Sequence, residues 1–180
     1  QAIQSLDTED SDTSTPPKTA ILMLNMGGPS EPKETEAFLQ RLFTDNDIID
    51  LGGGQLQDIF GSVISRRRTP KIEEQYEEIG GSPIRAWTEY QGKRMCQILD
   101  ETRPESAPHR AYTAFRYAHP LTEESLAQMK EDGVTRVIAF SQFPQWSCTT
   151  AGSSMNELWR QLKTLGLEKD FQWSIIDRWP

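Results

Sequence analysis

The chain is 180 residues long, enough for one sizeable hydrophobic core or two very small ones, and carries a formal net charge of −8. A negative field of that size argues against non-specific nucleic-acid binding, and two cysteines with no CxxC pair exclude a disulfide framework and suggest no zinc site. With Gly counted and Tyr left out, apolar residues make up about 40% of the chain, a little under the ~45–50% usual for a globular protein, which predicts a folded domain with a polar appendage.

The appendage is the first segment. Residues 1–17 hold Asp7, Glu9, Asp10 and Asp12 and no Lys or Arg, with Ser, Thr and Pro filling most of the rest. Such a stretch cannot bury enough apolar surface to offset its ordering entropy, so it is expected to be a disordered acidic leader. It has neither the Arg-rich amphipathic pattern of a transit peptide nor the apolar run of a signal peptide. The chain opens on Gln1, not Met, which points to a processed chain or a piece of a longer one.

From Lys18 onward, strand and helix patterns alternate. Thr19 to Leu24 is an apolar run fit for a buried strand, closed by Met26-Gly27-Gly28-Pro29. Glu34 to Phe43 predicts a helix with Phe38, Leu39, Leu42 and Phe43 on one face. Gly52-Gly53-Gly54 marks a loop, after which Leu56, Ile59, Phe60, Val63 and Ile64 recur at helical spacing. Thr69-Pro70 reads as an N-cap with proline at the first helical position, opening a separate helix through Ile79 that Gly80-Gly81 ends. Ser82-Pro83 repeats the start signal for a helix with Trp87, Met95, Ile98 and Leu99 inward. Further strands are expected at Ala111 to Tyr117, Arg136 to Phe140 and Phe171 to Ile176. Helices at Glu123 to Lys130 and Ser153 to Leu165 separate them, the second with Met155, Leu158, Trp159, Leu162 and Leu165 on one stripe.

This order predicts an α/β fold with a doubly wound parallel sheet, a flavodoxin-like lobe. The longest uncharged run, Val137 to Asn156, is too rich in Ser, Thr, Gln and Pro to span a membrane. Ligands of open α/β sheets bind beyond the carboxyl ends of the strands. The segments there are Asn25-Met26-Gly27-Gly28, Arg116-Tyr117-Ala118-His119, Phe143 to Thr150, and Asp177-Arg178-Trp179. They offer a thioether, a guanidinium, a phenol, an imidazole, aromatic faces, hydroxyls and a thiol. That set suits a flat apolar ligand with an ionic rim better than a nucleotide, and neither GxGxxG nor GxxxxGK[ST] occurs.

Five strings, ILMLNMGGP, RRRTPKIEEQYEEIGGSPI, FRYAHPLTEE, QFPQWSCTTAGSS and SIIDRWP, resemble in order and spacing the N-terminal half of the eukaryotic mitochondrial ferrochelatases, from about Thr19 to Pro180. The resemblance implies a fungal-type member; one glycine fewer stands before Ser82 than in animal members, and Phe143 stands where they have tyrosine, so any phenol role there is lost. The resemblance implies insertion of ferrous iron into protoporphyrin IX, the last step of haem synthesis. It also implies a fold of two similar lobes, of which residues 18–180 are the first, cut at its C-terminal end, with the main histidine base beyond Pro180. A peripheral place on the matrix side of the inner mitochondrial membrane and a homodimer are implied as well.

Each candidate residue has a plainer alternative. Arg66, Arg67, Arg68 and Lys71 form a basic cluster that is either a solvated helix end or a clamp for carboxylates. The resemblance places porphyrin contacts at Met26, Arg68, Tyr76 and Ser82. Met26 is otherwise a core gap-filler. Arg116 and Tyr117 follow a strand, where Arg116 can pair with a buried carboxylate; the resemblance puts both near the reaction centre as catalytic candidates. His119 precedes Pro120 at a helix start and is read as structural. Cys96 lies on an apolar helix face and is read as core. Cys148 is either a small buried hydrophobe or, by the resemblance, one ligand of a [2Fe–2S] cluster whose other three ligands lie outside this chain. Two other functions stay open: a stand-alone porphyrin-binding domain without catalysis, and a flavodoxin-like flavin or nucleotide binder.

Overall fold

The structure is a computed structural model that describes residues 18–49 and 54–179. The acidic leader, the first two glycines of the Gly52-Gly53-Gly54 loop and Pro180 lie outside the described residues. Strands β1 (Thr19–Asn25), β2 (His109–Phe115), β3 (Arg136–Ser141) and β4 (Gln172–Ile176) form one sheet in the order β2-β1-β3-β4, parallel throughout. Helices α1 (Thr35–Thr44), α2 (Gly54–Ile79) and α3 (Ile84–Thr102) lie between β1 and β2; α4 (Thr122–Glu131) and α5 (Ser153–Leu165) make the later crossovers. The doubly wound α/β reading is therefore the fold observed.

The central strand explains the layering. Residues Ala20 to Leu24 are at most 2% exposed, so β1 is covered on both faces, as its unbroken apolar run requires. Side chains of a strand alternate between faces. Ala20, Leu22 and Leu24 pack with Leu126 and Met129 of α4 and Leu158 and Leu162 of α5. Ile21 and Met23 pack with Cys96, Met95 and Leu99 of α3. A third cluster at the carboxyl end of the sheet joins Phe38, Leu39 and Phe43 of α1 to Phe115, Tyr117 and Ala118.

Several sequence expectations need correction. The separate helix at Thr69-Pro70 does not exist, because α2 runs unbroken through Pro70. Thr69 is not a cap: its hydroxyl donates back to the Ser65 carbonyl at 2.9 Å, an intrahelical bond that competes with capping. Proline's fixed φ fits a helix, and the cost of its missing N–H falls on one carbonyl.

In α3, Met95 and Leu99 face the core, but Trp87 and Ile98 are 48% and 53% exposed. The buried face is the small-residue row Thr88, Gly92 and Cys96. A Cβ on Gly92 would stand 2.6 Å from that of Ala111, so α3 sits close on β2 because Gly92 has none. In α5, Leu158 and Leu162 are buried, whereas Trp159 and Leu165 are exposed. Leu56, Ile59, Phe60 and Val63 on α2 are also largely exposed; what α2 buries is Gln57, Gly61 and Ser65. Gln57 caps α1, its amide donating to the carbonyls of Phe43 at 3.0 Å and Ile49 at 2.7 Å.

Candidate functional site

In the order β2-β1-β3-β4 the chain leaves β1 in one direction and returns on its other side, so the topological switch point lies between β1 and β3. A crevice is expected beyond the carboxyl ends of those two strands. There Asn25 donates to the side-chain oxygen of Gln142 at 3.1 Å, and Thr88 donates to the same oxygen at 3.1 Å.

A hollow of about 50 Å³ is lined by Met26 after β1, Arg116 and Tyr117 after β2, Phe143, Thr149 and Thr150 after β3, and Ser153 at the start of α5. The bridging Asn25, Thr88 and Gln142 themselves line a wider cavity of about 340 Å³, together with Trp87, Gln91 and Trp179. The last loop reaches this cavity because the Trp179 indole donates to the Ser141 carbonyl at 3.0 Å and stacks on Phe140.

Parallel pairing continues past the end of β2 and sets the position of the next two residues. The Arg116 amide donates to the Asn25 carbonyl and the Tyr117 amide to the Met26 carbonyl, both at 3.0 Å. Tyr117 is 1% exposed. Its hydroxyl donates to Asp45 and lies 3.5 Å from the Ser153 hydroxyl. Burial first, then the bond to Asp45, pushes the phenol well above its ordinary pKa, so it stays protonated. Arg116 meets the same carboxylate at 2.8 Å, Glu157 at 3.4 Å and the Ser153 hydroxyl at 3.2 Å.

The buried carboxylate expected beside Arg116 is therefore Asp45, at the end of α1, with Glu157 of α5 as a second partner. Neither was singled out in the sequence. Asp45 follows an amphipathic helix as many surface acids do, and no motif brackets it.

The structure brings Met26, Arg116 and Tyr117 together and places Ser82 nearby. The Ser82 amide donates to the Pro29 carbonyl at 2.7 Å, and a Cβ on Gly28 would stand 2.6 Å from its hydroxyl. Arg68 and Tyr76 lie along α2 and do not line the hollow. Arg68 is exposed, its guanidinium 5.6 Å from the Phe43 ring centre. Tyr76 is half-buried, and burial raises its phenol pKa. Of the basic cluster, Arg66 approaches Glu36 at 3.9 Å.

His119 is exposed, bonded to Glu124 at 2.9 Å and to Arg41 at 3.2 Å, in keeping with a structural part. Cys96 is buried, and burial pushes its thiol up to about 12.

Cys148 is exposed at the start of a π-helical turn, Cys148–Gly152, that leads into α5. Its exposure overturns the buried-hydrophobe alternative. An iron–sulfur cluster needs four ligands. Among the described residues no group of three or more His, Cys, Asp or Glu is arranged to hold a metal ion, and Cys96 lies in a separate core cluster. The described residues therefore do not fit a cluster by themselves.

Comparison with known proteins identifies the family. The family model for ferrochelatase matches residues 18–180. The mitochondrial ferrochelatase of Schizosaccharomyces pombe is 58% identical over 163 residues, covering 90% of this chain and 38% of that protein. Those of Bos taurus and Homo sapiens are 53% and 52% identical over 165 residues, covering 91% of this chain and 39% and 38% of theirs. The chain thus spans about two-fifths of the length of these relatives. With its match running through every element of the sheet and all the loops at its carboxyl edge, the chain belongs to the ferrochelatase family.

Proposed function

We propose that the protein inserts ferrous iron into protoporphyrin IX to form protohaem, and that this chain supplies a porphyrin-binding wall of the site as the first of two similar lobes. The observation that carries the reading is the convergence of Met26, Arg116 and Tyr117 at the switch point of a chain matched by the ferrochelatase family model. A hollow of about 50 Å³ accepts the edge of a ligand, not a macrocycle, which suits a wall that another lobe completes. Exposed Ile175, Ile176 and Trp179 at the β4 edge offer apolar surface for such a lobe.

The reaction exchanges two pyrrole protons for Fe²⁺, which sheds its water as it enters the ring. A flat macrocycle hides its nitrogen lone pairs, so a site that bends it toward the transition state lowers the barrier. Met26 presses a polarizable thioether toward the ring, and Ser82 flanks the same loop. Arg68, exposed on α2 with Tyr76, meets a propionate. Arg116 and Tyr117 form the polar wall near the metal, and the base that takes the protons comes from outside this chain.

The relatives carry the word mitochondrial in their names, which supports a mitochondrial location. We place the protein peripherally on the matrix side of the inner membrane, as a homodimer. The exposed row Leu56, Ile59, Phe60 and Val63 supports the membrane contact, and no helix of the described residues is long and apolar enough to cross a membrane. Cys148, exposed beside the site, stands as one candidate ligand of a [2Fe–2S] cluster completed by residues elsewhere.

The test is a protoporphyrin titration followed by fluorescence quenching, with insertion of Fe²⁺ or Zn²⁺ into the bound ring assayed on the intact protein. Quenching with insertion is expected. Quenching without insertion in the intact protein leaves a porphyrin-binding domain, and FMN binding with no quenching rejects the porphyrin reading. Replacing the acid by its dimethyl ester isolates the clamp: Arg68→Ala weakens binding of the acid and leaves binding of the ester unchanged.

A further inference from the structure

We infer that Asp45 is a positioning residue of this site, fixing both the Arg116 guanidinium and the Tyr117 phenol through one carboxylate oxygen. The inference rests on the porphyrin-metallation reading above. Asp45 is 8% exposed and follows the last residue of α1. Its Oδ2 accepts from the Tyr117 hydroxyl, from Arg116 Nη2 at 2.8 Å and from the Ser153 hydroxyl at 3.3 Å.

Three donors, two from the turn after β2 and one from the first residue of α5, therefore converge on a single oxygen supplied by the end of α1. Turning any of the three away gives up a bond to that oxygen and leaves a buried donor short of a partner, which is costly. The guanidinium is held at its other nitrogens too, by Ser153 at 3.2 Å and Glu157 at 3.4 Å. Its plane lies with the central carbon 5.1 Å from the Tyr117 ring centre.

The consequence concerns what faces the ligand. With its proton committed to Asp45, the Tyr117 hydroxyl is not offered as a phenolate ligand for the metal. The wall beside Met26 consists instead of a fixed aromatic ring and a fixed cation. Asp45 itself does not line the small hollow. It acts through the two residues that do, which is why it is not itself a catalytic residue.

The test uses Asp45→Asn, Tyr117→Phe and the double variant in the intact protein. Asparagine keeps the volume of Asp45 and can accept one bond, but it loses the charge that holds Arg116. Misplacement of a positioned group costs on the order of 10- to 100-fold in rate. Asp45→Asn is therefore expected to lower kcat for Zn²⁺ insertion by about that factor, with the KM for porphyrin changed by less than about twofold. Because Asp45 and Tyr117 act as one unit, the double variant loses less than the product of the single losses.

A tyrosine resonance Raman signal, isolated by subtracting the Tyr117→Phe spectrum, should shift from a strongly donating phenol toward a weaker donor in Asp45→Asn. Should Asp45→Asn fail to fold, Ser153→Ala, which removes one hydroxyl from the same carboxylate, is expected to show a smaller loss confined to kcat. An active wild type whose Asp45→Asn or Ser153→Ala variant keeps its kcat, or whose losses multiply independently, overturns the assignment alone. A wild type that inserts no metal overturns the functional reading, and this assignment with it.

Discussion

Asp45 and Tyr117 stand 72 residues apart in sequence and share a buried hydrogen bond at the carboxyl edge of the sheet. The bond ties the end of α1 to the turn after β2, two places that helix and strand patterns treat as independent. Arg116 joins the same carboxylate from the neighbouring position, so one acid serves two candidate site residues.

Arg116 and Asp45 have side chains only 13% and 6% exposed, so removing the cation leaves a buried acid with much of its compensation gone. Breaking such a pair from one side typically costs about 3–5 kcal/mol, whereas replacing both partners is far less damaging. Arg116→Met is expected to lose stability on that scale in urea denaturation, and Arg116→Met with Asp45→Asn to recover a substantial part of it. A single variant as stable as the wild type would show that the pair contributes little.

Gly81 has φ of +93°, and a Cβ there would come 1.9 Å from the Ser30 carbonyl oxygen. Left-handed backbone alone costs a side-chain-bearing residue about 1–3 kcal/mol, and the clash adds to that. Gly81→Ala should therefore lower Tm by at least about 2 °C in a chain of this size. It should also weaken porphyrin binding, because Ser82 is seated on the Pro29 carbonyl by the same turn. Thermal melting by circular dichroism, paired with porphyrin titration, tests both parts.

The two cysteines should differ sharply toward alkylating reagents. Cys148 is exposed, while Cys96 is buried with its thiol pushed up to about 12 by burial. The thiolate is the reacting species. Iodoacetamide at mildly alkaline pH should modify Cys148 and spare Cys96 until denaturant is added, read by peptide mass spectrometry. Labelling of Cys96 in the folded protein would contradict the packing of α3 on the sheet.

Asp132 stabilises the fold in a pH-dependent way. Burial alone would raise its pKa, but bonds donated by Tyr112, Gln128 and Arg110 outweigh that and hold the carboxyl below its ordinary range. A depressed folded-state pKa gives stability that is present above the unfolded value of about 3.9 and is lost as pH falls through the folded value. Asp132→Asn is expected to be less stable at pH 7 and to show a flatter loss of stability below about pH 4. Denaturation curves at pH 7 and pH 3 decide; an unchanged acid limb would remove Asp132 from the account.

Patterns of local origin were legible from the residues. The apolar run of β1 announced a doubly covered strand, and the helices and strands from β2 onward fell within a few residues of their expected ends. Met26, Arg116 and Tyr117 could be assigned to one edge because strand ends of a parallel sheet share an edge. The errors came where tertiary contact overrides a local signal. Thr69-Pro70 has the chemistry of a helix start, yet Thr69 bonds backward into a helix already under way. Trp87, Ile98 and Trp159 look like core by hydrophobicity, but α3 approaches the sheet through Thr88, Gly92 and Cys96, which only a small-residue count would suggest.

The sequence by itself determined the α/β class, the family and the loops that hold the candidate site residues, because periodicity, turn residues and motif strings are local properties. The tertiary structure decided the strand order, and with it the crevice between β1 and β3, since strand adjacency depends on how helices of unequal bulk cover each face. It also decided the partner of Arg116 and Tyr117. An acid's role is set by what donates to it in space, and nothing in the residues around Asp45 encodes the approach of a strand end 72 positions later.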